Sequence, residues 1–176
     1  AGCAAALAAA HAAGVVHRDL KPDNVFLSRR SDGSLQLKLL DFGVSKVFNG
    51  EKLTQTGQVL GTPRYMSPEQ LGAEPEVDHR VDVYSLGVIL YEALTGKPPF
   101  LASTPTDLIV AILHGKVVPL RSLRPDLPQS IEGIVMRAMA RVRDARFRAA
   151  TELADAFLEA SGIEANARAL PRAGMA

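Results

Sequence analysis

Residues 17–24 read His17-Arg18-Asp19-Leu20-Lys21-Pro22-Asp23-Asn24. The octet is polar apart from Leu20 and carries a proline that fixes one backbone angle, so it reads as a constrained loop. Upstream, the first thirteen residues are alanine-rich and read as a helix, with Gly14 closing it. Downstream, Asn24–Leu27 and Leu35–Leu40 read as two short apolar strands. Ser31-Asp32-Gly33-Ser34 between them is a hairpin turn signal. The second strand runs into Asp41-Phe42-Gly43. An antiparallel hairpin returns the chain to where it began, so it brings Asn24, at the start of one strand, beside Asp41, at the end of its partner.

Beyond this core the pattern turns helical. Gly43 to Gly61 is polar, with little periodicity, and reads as a long loop. From Pro68 on, helices dominate. Val81–Thr95 is apolar and stops at Gly96 before Pro98-Pro99. Thr104-Pro105-x-Asp107 has the chemistry of a helix start, and that helix ends near Gly115. Gln129–Ala140 and Ala149–Ala160 show apolar spacing near the helical period. The expected fold class is α+β, mainly α: one lobe over residues 1–160 with a small hairpin at its N-terminal edge. Residues 161–176 read as a disordered tail.

The whole chain has 176 residues, enough for one domain with a real core, and 47% of them are hydrophobic. A net charge of +1 gives no broad electrostatic case for nucleic acid or a membrane surface. The single cysteine, Cys3, excludes an internal disulfide and suits a reducing cytoplasm. Residues 1–16 resemble a signal core, but lack a basic leading region and are interrupted by His11. The run from Val81 to Leu94 holds Asp82 and Glu92 and is too short to span a bilayer. No membrane segment is therefore expected in this span; an anchor for a longer parent protein would lie outside it.

The loop and the hairpin end together hold the parts for one kind of chemistry. Phosphoryl transfer to a hydroxyl needs a carboxylate at the acceptor oxygen, a cation near the transferred phosphate and hard ligands for Mg²⁺. Asp19 can be the carboxylate, Lys21 the cation, and Asn24 and Asp41 the ligands. Lys97 and Lys116 follow glycines, but neither sits in a G-x-x-x-x-G-K-[ST] frame, so a Walker-type nucleotide site is not supported.

These residues resemble the catalytic loop and metal-binding triplet of protein kinases, in particular bacterial serine/threonine kinases of the eukaryotic type. Further segments agree in order. Gly61-Thr62-Pro63-Arg64-Tyr65-Met66-Ser67-Pro68-Glu69 is similar to the segment that seats the substrate, with Ser67 where alanine is usual. Asp82-Val83-Tyr84-Ser85-Leu86-Gly87 is similar to the buried central helix of the large lobe, and Ala145-Arg146-Phe147 to the late segment whose arginine pairs with Glu69. The resemblance covers residues 1 to about 160 and implies a protein-kinase large lobe using ATP and Mg²⁺ on Ser or Thr hydroxyls of protein substrates. Lys21 after the His-Arg-Asp-Leu run points to Ser/Thr rather than Tyr.

On that resemblance, Asp19 and Lys21 are catalytic, Lys21, Asn24 and Asp41 bind the nucleotide and its metal, and Thr62 positions substrate. Thr54 and Thr56 are candidate phosphorylation sites, with Arg18 to pair a phosphate. His17, Phe42, Gly43, Glu69, Asp82 and Arg146 are structural supports; Asp82 is expected to hold the catalytic-loop backbone. Two departures stand out. Val142-Arg143 occupies the place of a common Asp-Pro, and the sequence contains no G-x-G-x-x-G loop and no V-A-I-K-like lysine. The missing small lobe is an expected partner, and the isolated chain is expected to be inactive. A catalytically silent binding or regulatory lobe is the alternative. A small-molecule phosphotransferase of the aminoglycoside type fits less well, given Lys21, the Asp-Phe-Gly triplet and the Ser-Pro-Glu segment.

Overall fold

The computed structural model describes residues 1–42, 63–72, 74 and 77–162. Helix α1 spans Gly2–Ala12. Its alanines favour helix, and Gly14, at φ 75°, turns the chain out just past the end. Strands β1 (Val25–Arg29) and β2 (Leu35–Leu39) form the antiparallel hairpin, with Val25 opposite Leu39 and Arg29 opposite Leu35. The first strand starts and ends later than its apolar run suggests. Asn24 belongs to a 3₁₀ turn over Pro22–Asn24, while Ser28 and Arg29 pair across the ladder, where polar side chains cost little on an open hairpin. Leu40 lies just past β2, yet its amide still donates to Asn24 O at 2.9 Å.

The helices that follow are α2 (Pro68–Leu71), α3 (Arg80–Thr95), α4 (Pro105–His114), α5 (Leu120–Leu123), α6 (Gln129–Ala138) and α7 (Ala150–Ser161). α7 thus takes in Ser161, the first residue of the expected tail; residues 163–176 lie outside those described. Helix α3 is the hub. Every residue from Val81 to Val88 is buried, including Asp82 and Ser85, as fits a helix with core on all sides. Val83 and Leu86 join a cluster with Leu7, Leu20, Phe147 and Leu153. Tyr84, Val88 and Tyr91 join a second one with Phe100, Ile112, Leu120 and Val135. At Gly87, α3 approaches α6 so closely that a Cβ would stand 2.8 Å from Ala138 Cβ. Gly96 ends α3 at φ 68°, a conformation that favours glycine. At α4, Thr104 caps as its sequence suggests, its hydroxyl accepting from the Asp107 amide at 3.1 Å. Among the described residues no helix is long and apolar enough to cross a membrane.

Candidate functional site

The loop 17–24 is held from below by one carboxylate. Asp82 is fully buried, and an unpaired acid there would be costly. Its oxygens are met by three donors. The amides of His17 and Arg18 donate to Oδ2 and Oδ1, each at 2.9 Å, and His11 Nε2 lies 2.7 Å from Oδ2. The clamp thus joins α1, α3 and the loop. Arg18 takes φ 62°, a left-handed angle unusual for a side chain of its size, and the clamp on its amide helps hold it there. A fourth tie comes from α2, whose Gln70 Nε2 donates to Arg18 O at 2.8 Å.

His17 is buried and both its ring nitrogens are engaged. Nε2 donates to Leu40 O at 3.0 Å and Nδ1 accepts from the Asp19 amide at 3.3 Å, a pairing that places the ring hydrogen on Nε2. Its ring packs on Phe42, with centroids 4.7 Å apart. This imidazole ties the loop to the end of β2 and has no nitrogen left for a reacting proton.

At the mouth of the loop, Lys21 Nζ lies 3.1 Å from Asp19 Oδ2. Asn24 is buried, and its Nδ2 donates to Asp19 O at 2.8 Å, so the amide flip is set and Oδ1 is the end left to act as a ligand. Across the hairpin, Asp41 is exposed at φ 52°. The ladder therefore gathers Asp19, Lys21, Asn24 and Asp41 at one end of the hairpin. Two hard oxygen donors, an amide and a carboxylate, suit Mg²⁺, which takes one or two protein oxygens and fills the rest of its octahedron with water and phosphate.

Support extends outward. Arg146, 1% exposed, donates from Nη1 and Nη2 to the two Glu69 oxygens at 2.6 and 2.8 Å. Its remaining donors reach Ala140 O at 2.7 Å and the carbonyls of Arg80 and Arg141 at 3.2 Å. Tyr65 Oη donates to Glu92 at 2.6 Å; burial, then that bond, push its phenol up to about 12. Ser85 Oγ donates to Tyr65 O at 2.7 Å, joining this segment to α3. Arg18 is exposed, as a phosphate-pairing role requires. Gly43, Thr54, Thr56 and Thr62 lie outside the described residues.

Several of these ties went unread in the sequence. His11 drew notice only as an interruption of an alanine run, yet it was the one polar residue there, and a polar side chain on an otherwise apolar helix asks for a partner. Gln70 stands three residues after Ser67, the spacing of a capping box, and the structure has that box. Nothing in the sequence signals the bond from Tyr65 to Glu92.

The fold and this arrangement are those of a protein kinase. Residues 1–158 match the family described as protein kinase domain, and the chain belongs to that family. Its fold is the kinase-like α+β, mainly α architecture. The chain is 40% identical over 157 residues to the serine/threonine-protein kinase PknH of Mycobacterium bovis, covering 89% of this chain and 26% of that protein. It is 43% identical over 143 residues to the tyrosine-protein kinase MasK of Myxococcus xanthus, covering 81% and 21%. The crystal structure of a mutant PknI kinase domain from Mycobacterium tuberculosis superposes with a TM-score of 0.64 at 30% identity, over 90% of this chain and 51% of that one. The chain thus spans about a quarter of the length of its curated relatives and half of the solved domain.

Proposed function

We propose that this chain is the substrate-side lobe of a serine/threonine protein kinase that uses ATP and Mg²⁺. The observation that carries this is the meeting of Asp19, Lys21, Asn24 and Asp41 at one hairpin end, on a loop clamped by Asp82. Asp19 orients the acceptor hydroxyl and takes its proton. Lys21, within reach of Asp19, stabilises charge on the transferring group. Asn24 Oδ1 and the Asp41 carboxylate hold Mg²⁺, which when bound neutralises phosphate charge. Arg18 receives a phosphate from Thr54 or Thr56, and Thr62 seats the substrate beside Asp19 and Lys21.

The hairpin also shows bare apolar surface. Phe26, Leu27 and Leu35 are each more than half exposed. Exposed apolar side chains on both faces of the hairpin, Leu27 and Leu35 on one and Phe26 on the other, support docking of a small lobe supplied by the rest of the protein. Without glycine-loop amides and a strand lysine, phosphate positioning is lost, so the 176 residues alone bind ATP weakly and turn over negligibly.

The test is Asp19→Asn in the full-length protein that carries this chain, assayed with labelled ATP on Ser, Thr and Tyr peptides. Loss of a general base predicts a fall of roughly 10²–10⁴-fold in kcat. An unchanged rate would sink the assignment. The Tyr peptides are included because MasK is named as a tyrosine kinase: label on Tyr alone would overturn the Ser/Thr reading of Lys21 while leaving Asp19 in place. Mg²⁺-dependent turnover by the isolated 176-residue chain would refute the need for a small lobe.

A further inference from the structure

Two open cavities adjoin one another, sharing Pro68 and Arg141 in their linings. None of their lining residues comes from the loop 17–24 or from the hairpin. One, about 300 Å³, is walled by Phe100, Ile112, Val117, Met136 and Met139. The other, about 390 Å³, is bounded by Leu113, Val142 and a polar rim. Among the described residues the charge along this groove is unbalanced. Of its three acids, Glu69 is closed by Arg146 and Asp144 by Arg80, the latter at 2.7 Å. That leaves Glu74 against the exposed cations Arg141 and Lys116.

Val142 gives the groove its meaning. It is the N-cap of the 3₁₀ turn Arg143–Ala145, with no side-chain cap, in a position that favours Asp, Asn, Ser or Thr. It is also 64% exposed. Its side chain therefore neither caps the turn nor packs in the core, and it presents an uncharged aliphatic wall to the groove.

We infer that this groove docks an acidic, aliphatic segment of a partner protein, laid extended across Pro68 and Arg141. Its apolar side chains enter the pocket of Met136 and Met139, whose flexible thioethers adapt to irregular shapes. Its carboxylates face Arg141 and Lys116. The groove is open along its length, which suits a peptide better than an acyl chain.

The experiment uses the full chain and a fluorescein-labelled decapeptide of alternating Glu and Leu, read by fluorescence anisotropy. A Lys-Leu decapeptide is the control and dodecanoate the competitor. Saturable binding of the Glu-Leu peptide alone is expected, weakened about ten-fold or more by Val142→Asp and by Arg141→Glu. Val142→Asp is expected to keep or raise the thermal midpoint, because aspartate caps the turn; lost binding without lost stability separates docking from a structural role. Arg141→Glu alters an exposed side chain and keeps the test decisive if the first variant misfolds. Equal binding of the Lys-Leu peptide, unchanged binding by both variants, no saturable binding, or a preference for dodecanoate would each overturn the proposal.

Discussion

Replacing Glu69 by glutamine takes the counter-charge from a guanidinium that is 1% exposed. Breaking a buried pair in this way costs about 3–5 kcal/mol, because the surviving charge has no water to turn to. Arg146→Met is worse. It strands the Glu69 carboxylate at the same cost and also removes the donor from three carbonyls, those of Ala140, Arg80 and Arg141. At about 1 kcal/mol per lost bond, those add roughly 3 kcal/mol. The total, roughly 6–8 kcal/mol, rivals the whole stability of a typical domain. The double variant Glu69→Gln/Arg146→Met removes both charges but not the orphaned carbonyls, so it recovers only part of the loss. We expect it about 3 kcal/mol below the parent and about 3 kcal/mol or more above Arg146→Met alone. Urea denaturation followed by far-UV circular dichroism measures all four corners of the cycle. A double variant as stable as the parent would show that the carbonyl bonds contribute nothing. A Glu69→Gln variant within about 1 kcal/mol of the parent would refute the buried-charge argument itself.

Gly87→Ala forces a methyl to 2.8 Å from Ala138 Cβ and 2.9 Å from Met139 Cγ, so α3 and α6 must part; a loss of about 1–3 kcal/mol in the same denaturation is expected. Asp78 is held down to about 2 by its side-chain bonds to Arg80, opposed by partial burial. Because the folded value lies below the unfolded one, its contribution is present above about pH 4 and lost as pH falls toward 2. A carboxyl titration by NMR should place Asp78 well below the ordinary carboxylate range, and Arg80→Ala should return it there. Burial pushes the Cys3 thiol up to about 11, opposed by the nearby N-terminus and helped by a smaller upward push from Asp82. Alkylation by iodoacetamide near pH 8 should therefore be slow in the native chain and fast in urea; equal rates would show that burial does not protect the thiolate.

What could be read in advance follows from how local the cause is. Helix α3 announced itself because its apolar run is long and ends at a glycine followed by two prolines. The hairpin was legible because Asp32-Gly33 separates two apolar stretches. Asp82, an acid inside an apolar helix, demanded partners, and two of its three donors are the loop amides that the resemblance suggested. The third, His11, was missed because its bond spans 71 residues and nothing in its own alanine-rich segment names the partner. The one-turn helices α2 and α5 escaped for another reason: four residues cannot show a period of 3.6. Strand β1 was drawn too short because apolar content was taken as the mark of a strand, while an exposed hairpin is defined by its backbone ladder.

The hairpin also divides the molecule into a part that must stay constant and a part that need not. Asn24 and Asp41 lie at its open end, beside the catalytic loop, fixed by the bond from Leu40 to Asn24. The turn at residues 30–34 lies at the other end, five paired residues away. Lengthening or shortening that turn leaves the first paired rungs where they are, so the spacing of the two oxygen ligands does not feel it. Evolution can therefore experiment at the tip, adding residues that meet another domain or another protein, while the chemistry at the base continues undisturbed.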